Sequence, residues 1–269
     1  MNIVSGSRGF IGKHLVKRLS EDTEIVYHEE LNEPFYPKHF DTYFYLSGYG
    51  NHSQQQDIHQ TVKANVEQLE QTLSKISQLN FKNFIHISTS SVKLKQQTPY
   101  SRTKSWAEDI VYWYAQKTGK GIFSVRPYSI FGEGEADFRF IPTMVRNLVN
   151  KETPKLDPYP AHDWVYVEDF IDALLVLADK VHEPIPPQEV GYGYATTNRQ
   201  VFDDIKRILG LPGKVKYEKA PRMRSYDVTR SWYKQKPDYL DEIWEPRMGY
   251  WQGLKKTVNY YKELYGKKH

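Results

Sequence analysis

Gly6-Ser7-Arg8-Gly9-Phe10-Ile11-Gly12 stands between a short apolar run, Ile3-Val4, and a stretch at residues 14–19 that reads as helix. The reading of that segment decides the fold. A strand that turns at once into a helix uses glycine for a tight bend, for close approach of a pyrophosphate to the backbone, and for close helix–strand packing, and the helix N-terminus then faces the phosphates. The spacing is GxxGxxG and not the GxGxxG of the usual dinucleotide fingerprint, and a glycine triplet by itself also serves as a plain turn. Its place directly after the first strand moves the reading toward a nucleotide.

Outward from this turn, strand and helix patterns alternate. Residues 24–28 and 43–46 read as strands, the latter ending in Ser47-Gly48-Tyr49-Gly50. Ile58, Val62, Val66, Leu69, Leu73 and Ile76 recur at steps of three and four and predict one amphipathic helix over residues 53–79. Residues 84–87 form the next strand, 101–117 a helix ended by Gly119, and 121–126 a further strand. Such alternation gives an α/β, Rossmann-type doubly wound parallel sheet with a small C-terminal substrate-binding lobe. Only about 14 residues, with Pro34 and Pro37 among them, separate the second and third strands, close to the minimum for a crossover. A loop or single turn is expected there. Prolines cluster at 154, 158 and 160 and again at 184, 186 and 187. The expected division is therefore an NAD(P)-binding domain over 1–150, with a strand and helix near 163–180, and a smaller lobe from 130–145 and 185–269.

Composition bounds the function. Of 269 residues, 39% are apolar and 21 are tyrosine, so the core must be rich in aromatics. Lys plus Arg is 37 and Asp plus Glu 33, a net of +4 with no dominant basic block, which argues against a nucleic-acid binder. Zero cysteines exclude disulfides, thiolate catalysis and cysteine-based zinc sites. Apolar runs such as 173–178 fall far short of the roughly 20 residues a membrane span needs. The start of the chain has no signal-peptide pattern, so a cytoplasmic protein without a membrane partner is expected.

Residues 87–92, Ile-Ser-Thr-Ser-Ser-Val, end a strand at the sheet edge where ligands bind in open α/β folds. Tyr100-Ser101-Arg102-Thr103-Lys104 follows, and i and i+4 lie on one helix face. A phenol is a poor base at neutral pH, but a neighbouring ammonium favours its phenolate, and Thr89 is placed to hydrogen-bond a substrate oxygen. The trio suits proton transfer at a carbinol while a hydride moves to or from nicotinamide. Arg8 within the turn, assisted by His28, suits an adenosine 2′-phosphate; Glu29 or Glu30 would instead accept from a free 2′-hydroxyl. A guanidinium inside the turn tips the cofactor, NAD(P), slightly toward NADP.

With these motifs the chain resembles the extended short-chain dehydrogenases/reductases, the NAD-dependent epimerase/dehydratase group acting on nucleotide sugars. Tyr45-Leu46-Ser47-Gly48, Asn65-Val66, Arg126-Pro127-Tyr128-Ser129-Ile130-Phe131-Gly132 and Asp163-Trp164-Val165-Tyr166-Val167-Glu168-Asp169 extend the likeness over most of the chain. The resemblance implies that Thr89 takes the catalytic Ser/Thr place, Tyr100 the acid/base and Lys104 the ribose contact and tyrosine activator. It implies cofactor contacts from Gly6, Arg8, Gly9, Phe10, Ile11, Gly12 and His28, and further along from Leu46, Ser47, Gly48, Asn65, Ile87, Ser88, Tyr100, Lys104 and Pro127. Substrate contacts would come from Ser90, Ser91, Tyr128, Ser129, His162 and Arg224, the last in an Arg-x-x-Asp motif with Asp227.

Departures from that pattern narrow the reaction. The 4,6-dehydratases carry an Asp-Glu pair where Ser90 and Ser91 stand, and the decarboxylases a glutamate at Ser91. The 3,5-epimerase/reductases use a Cys and a His whose best matches are Ser91 and Arg139. Hydride and hydroxyl-proton transfer remain, as C4 epimerisation or reduction of a keto sugar; the short crossover and Arg8 resemble the reductases more. His162 replaces a phosphate-binding arginine and the loop from Thr89 to Tyr100 is shorter than in most relatives, which keeps a small non-nucleotide carbonyl substrate open beside a nucleotide sugar. Lys93 replaces a tyrosine, a change the sequence does not explain. A non-catalytic NAD(P) sensor is the third reading, against which the Tyr/Lys pair argues. Trp106, Ile110, Val111, Trp113 and Tyr114 cover more than one face of their helix. Pairing in a homodimeric four-helix bundle, as relatives do, and burial within the monomer are both readings of that surface.

Overall fold

The computed structural model describes residues 1–19, 25–27, 37–51, 55–211, 213, 215–221 and 232–267. In chain order the elements begin with β1 (Asn2–Ser5), α1 (Phe10–Leu19), β2 (Ile25–Tyr27), β3 (His39–Tyr45), α2 (Ile58–Val62), a π-helical turn (Lys63–Glu67) and α3 (Gln68–Ile76). Then come β4 (Asn80–Ile87), a 3-10 turn (Ser90–Lys93), α4 (Pro99–Thr118), β5 (Gly121–Pro127), β6 (Ser129–Phe131), α5 (Phe140–Val149), β7 (Lys155–Leu156), β8 (Ala161–His162) and β9 (Trp164–Tyr166). The remainder is α6 (Val167–Lys180), β10 (Gln188–Val190), β11 (Thr196–Thr197), α7 (Asn198–Ile208), β12 (Glu218–Lys219), α8 (Tyr239–Ile243) and α9 (Gly249–Gly266).

The chain divides into two compact units: Met1–Pro127 with Ile171–Val190 and Asp238–Trp244, and Tyr128–Phe170 with Gly191–Pro237 and Glu245–His269. The first holds a six-stranded sheet in the order β10-β5-β4-β3-β1-β2, and every pairing in it is parallel. The doubly wound α/β sheet expected from the sequence is the fold of the chain. Strand order reverses at β1, which has β2 on one side and β3 on the other; the crevice at such a switch point is where open α/β sheets bind ligands.

Aromatic side chains fill the core of this unit, as the tyrosine count implied. Tyr43, Tyr45 and Phe84 pack against Leu69, Leu73 and Ile76 of α3 and Ala107, Val111 and Tyr114 of α4. Strands β3 and β4 run four residues further toward their N-termini than the apolar runs suggested. Phe40 stacks on Phe81 at 5.0 Å there, while Lys82 points to solvent, an alternation that a search for continuous hydrophobicity passes over.

The helix expected over 53–79 is shorter, and it is not uniform. Asp57 caps it by accepting from the Gln60 N–H at 3.0 Å, so α2 starts at Ile58, which is itself 59% exposed. The buried stripe in its first half is Thr61 and Asn65, not the apolar Ile58–Val62–Val66 row. The helix predicted over 101–117 opens two residues earlier, where Thr98 and Ser101 form a capping box around Pro99, and Gly119 ends it as expected. Glu29, Glu30 and Pro34, in the short crossover, lie outside the described residues.

The second unit explains the Asp163–Asp169 motif without recourse to chemistry. Asp163 is fully buried, and its carboxylate accepts from the N–H groups of Tyr192, Gly193 and Lys234; burial raises its pKa and those three donors oppose the rise. Asp169, also fully buried, accepts from the N–H groups of Arg247, Met248 and Gly249 at the start of α9 and from the Tyr192 hydroxyl at 2.6 Å. Both aspartates are organisers of loop backbone.

Candidate active site

Register brings the expected site residues to one edge. Ser5 is level with Tyr45, Tyr45 with His86, and Ile87 with Val125. Gly6, Leu46 to Gly48, Ile87 to Thr89 and Pro127 therefore all emerge at the carboxyl ends of their strands. In the first turn the Gly9 N–H donates to the Gly6 carbonyl at 3.0 Å and α1 begins at Phe10. A Cβ on Gly12 would lie 2.2 Å from the Gly6 oxygen, so only glycine lets α1 pack this closely on the turn. Arg8 and Gly9 are exposed, and Phe10 and Ile11 are half-buried. His28 and Arg224 lie outside the described residues.

Tyr100 is the second residue of α4, within the first turn, where unpaired N–H groups leave a partial positive charge that favours a phenolate. Lys104 follows one turn later and is only 3% exposed. A Cβ built on Gly48 would stand 3.2 Å from the Lys104 Nζ, and one on Gly50 would stand 3.4 Å from the Tyr100 Cβ. The Tyr100 Cβ and the Lys104 ammonium thus both lie beside the loop that follows β3, on one side of the helix. The Lys104 ammonium donates to the Ile87 carbonyl at 2.8 Å. Burial lowers its pKa to about 8, against the opposing charge of Glu108.

Asn65 ties these pieces together. From the π turn its Nδ2 donates to the Tyr49 carbonyl at 2.9 Å and to Thr103 Oγ1 at 3.0 Å, while its Oδ1 accepts from the Tyr49 N–H at 2.9 Å. The extra residue of a π turn re-aims a side chain that an uninterrupted α-helix would carry elsewhere. Thr89 caps the 3-10 turn, its Oγ1 accepting from the Ser91 N–H and lying 2.9 Å from the Ser91 Oγ. Its own hydroxyl proton keeps a choice of acceptor. Ser90 is buried and Ser91 half-buried. Pro127 is buried at the end of β5.

Three features escaped sequence reasoning. The Ser88 hydroxyl points inward and donates to Glu108, whose carboxylate also takes a two-point contact from Arg126 at 2.9 and 2.6 Å. Glu108 sits four residues past Lys104, a spacing that could have signalled it. Lys93, uninterpretable from sequence, donates to both oxygens of Glu189 on the edge strand β10. His86, fully buried in β4, has its Nε2 3.4 Å from the Lys104 Nζ. In the second unit, Tyr128 is buried, the Ser129 N–H donates to the Asp163 carbonyl at 2.9 Å, and His162 pairs with Thr196 in a two-stranded sheet, edge-on to Trp164.

Solved structures of this fold include UDP-glucose 4-epimerase from Thermotoga maritima with UDP-glucose, 23% identical with a TM-score of 0.82 over 98% of this chain and 99% of that one. RMD from Pseudomonas aeruginosa complexed with NADPH is 18% identical, with a TM-score of 0.81 over 98% and 99%. Among curated proteins, UDP-glucuronate 4-epimerase of Thermodesulfobacterium geofontis is 28% identical over 62% of this chain and 51% of its own. The dTDP-glucose 4,6-dehydratase of Haemophilus influenzae is 26% identical over 61% and 52%. The chain thus spans about half the length of these curated relatives. The family model for NAD dependent epimerase/dehydratase matches residues 2–191, which takes in the glycine turn, the level strand ends and the Tyr100–Lys104 helix, and the chain belongs to that family.

Proposed function

We propose that the protein exchanges a hydride between NAD(P)(H) and the C4 position of a nucleotide-activated sugar, as a 4-epimerase or a 4-keto reductase, with Tyr100 moving the hydroxyl proton. The observation that carries this reading is the pairing of Tyr100, at the positive end of α4, with the buried ammonium of Lys104 on the same face, beside the loop that follows β3.

The residues fit a dinucleotide. Gly12 admits no Cβ, Gly9 is exposed at the N-terminus of a ten-residue helix, and Gly48 opens space beside Lys104. Gly6, Gly9, Phe10, Ile11 and Gly12 would hold the pyrophosphate with their backbone, and the exposed Arg8 favours NADP over NAD. The cofactor supplies a hydride acceptor or donor at its nicotinamide ring. Lys104 has a further N–H for the ribose and keeps positive charge near the Tyr100 oxygen. Tyr100 takes or returns the carbinol proton, and Thr89 donates its hydroxyl hydrogen to the same substrate oxygen. Water elimination is disfavoured, because Ser90 is buried and the Ser91 hydroxyl lies against Thr89, and neither is an acid.

The second unit's Tyr128, Ser129 and His162, with Arg224, are the substrate contacts in this reading, and the lobe over 130–145 and 185–269 selects the sugar. A small non-nucleotide carbonyl is the second reading, favoured by His162, since neutral imidazole is a weaker anion partner than guanidinium. Trp106, Tyr112 and Trp113 are 47%, 64% and 56% exposed on α4, which supports a homodimer through that helix; light scattering of a Trp106→Glu variant tests it by loss of dimer mass. No helix among the described residues is long and apolar enough to cross a membrane.

The test is turnover of nucleoside-diphosphate hexoses and their 4-keto forms with NAD(H) and NADP(H). Tyr100→Phe should lower turnover by about 10²-fold or more and leave cofactor affinity nearly unchanged. Near-wild-type turnover in that variant refutes the role. A melting temperature that no nucleoside diphosphate raises moves the substrate to the second reading.

A further inference from the structure

His86 occupies the middle of the parallel sheet, with no solvent exposure. A histidine there has no use as a core filler that Phe or Val would not serve better, so its two nitrogens are the informative atoms. Nδ1 lies 3.0 Å from the Ser124 Oγ on β5, and Nε2 lies 3.4 Å from the Lys104 Nζ on α4. The Tyr45 ring on β3 lies 6.3 Å away between centroids. The two polar contacts together determine the protonation state. An ammonium only donates, so the Nε2 facing it must present its lone pair; the ring proton then sits on Nδ1 and goes to the Ser124 oxygen. A second proton would place two cations side by side in a buried site, and burial together with the Lys104 charge holds the His86 pKa well below its ordinary value.

We propose that His86 is a positioning residue for Lys104: its neutral, Nδ1-protonated imidazole and the Ile87 carbonyl form a two-acceptor cradle that orients the ammonium and keeps it charged. The proposal rests on the reading of Lys104 as the activator of Tyr100. A buried ammonium that loses acceptors loses its proton more readily. Around Lys104 the groups that act on its charge are His86 from β4, the Ile87 carbonyl and Glu108 one turn further along α4. Ser124 acts at one remove by fixing the tautomer, which makes it the second member of the device.

The test uses the intact chain without cofactor or substrate, so it is independent of turnover. Nitrogen-15 spectra of the imidazoles, with the His86 signals assigned by through-bond correlation to its own backbone, should show an Nδ1–H tautomer that stays neutral well below the ordinary imidazole midpoint. Carbon-13 spectra of the lysine Cε, with Lys104 assigned by its loss in Lys104→Met, should give a Lys104 midpoint near 8. The midpoint should fall by a factor of about 3–10 in proton affinity in His86→Phe and return in His86→Gln, whose amide can accept from Lys104 and donate to Ser124. Ser124→Ala should show a smaller fall in the same direction. An Nε2–H tautomer, or protonation of His86 near its ordinary pKa, overturns the proposal from the wild-type protein alone, even if His86→Phe does not fold. An unmoved Lys104 midpoint in a folded His86→Phe overturns it as well. If the midpoints behave as stated while Tyr100→Phe keeps its turnover, the cradle stands and the catalytic reading falls.

Discussion

Lys93 and Glu189 form a clamp: the ammonium lies 2.7 and 3.0 Å from the two carboxylate oxygens, joining the 3-10 turn after β4 to the edge strand β10. That turn is capped by Thr89, so the clamp fixes the backbone that aims the threonine hydroxyl. The Lys93 side chain is 38% exposed and Glu189 only 12%, so removal of the lysine leaves a largely buried carboxylate with the more distant Arg126 at 3.9 Å. Lys93→Ala should cost about 0.5–1 kcal/mol of stability, and the cost should shrink as salt is added. The check is chemical denaturation at low and high ionic strength; a salt-independent loss would mean the lysine acts through packing of its stem. Turnover should fall more than stability suggests, through kcat rather than KM, if Thr89 acts in the reaction.

Gly48 sets the distance between the loop after β3 and α4. A methyl group there would stand 3.2 Å from the Lys104 Nζ and 3.3 Å from the Asn65 Oδ1. Either neighbour can give by a few tenths of an ångström, because both contacts are with side-chain ends. Gly48→Ala should therefore fold with a change in melting temperature of only a few degrees, yet shift Lys104 off its present axis and weaken cofactor affinity by about tenfold. Isothermal titration with NADPH and NADH checks this, and unchanged affinity for both would show that the space beside Lys104 is not used by the dinucleotide.

The alternation of strands and helices, the glycine turn and the Tyr100–Lys104 spacing were all legible because each is a local pattern with a fixed period or a fixed offset. What was not legible has a common physical cause. The buried face of the helix beginning at Ile58 starts with polar Thr61 and Asn65, since a π turn and hydrogen bonds to Tyr49 and Thr103 take the place of apolar packing. A hydrophobic periodicity search rewards Ile58 and Val62 instead. Likewise Lys93 with Glu189, Ser88 with Glu108, and His86 with Lys104 are separated by 96, 20 and 18 residues, and only the packing of α4 and of the 3-10 turn against the parallel sheet brings them together. Such pairs carry no sequence period at all.

Asp169 offers a stability prediction in the second unit. Its carboxylate receives three N–H groups at the start of α9 and the Tyr192 hydroxyl, all from a fully buried position. Asp169→Ala leaves those donors without a partner and should cost about 3 kcal/mol or more. Asp169→Asn, which keeps one acceptor oxygen, should cost less. Thermal unfolding orders the three proteins, and equal melting temperatures for wild type and Asp169→Ala would contradict the anchoring role.

Lys104 should trade stability for charge. Unfolded, its amine titrates near 10.5, and folded near 8, because burial disfavours the ammonium. Between those values the unfolded chain binds the additional proton, so the contribution of Lys104 to stability rises with pH across that window, and below about 8 its full burial penalty is present. Lys104→Met keeps the volume and removes the charge, so at pH 7 it should be more stable than wild type by on the order of 1–3 kcal/mol. The buried phenols of Tyr192 and Tyr250 titrate above their ordinary range and act in the opposite sense at still higher pH. The slope is therefore best taken as the difference between the two proteins from about pH 7 to 9.5, where it should fall steadily as the wild type gains. Lys104→Met should at the same time lose turnover by about 10²-fold or more. A variant less stable than wild type at pH 7 would mean that the ammonium is held by its acceptors more strongly than burial opposes it.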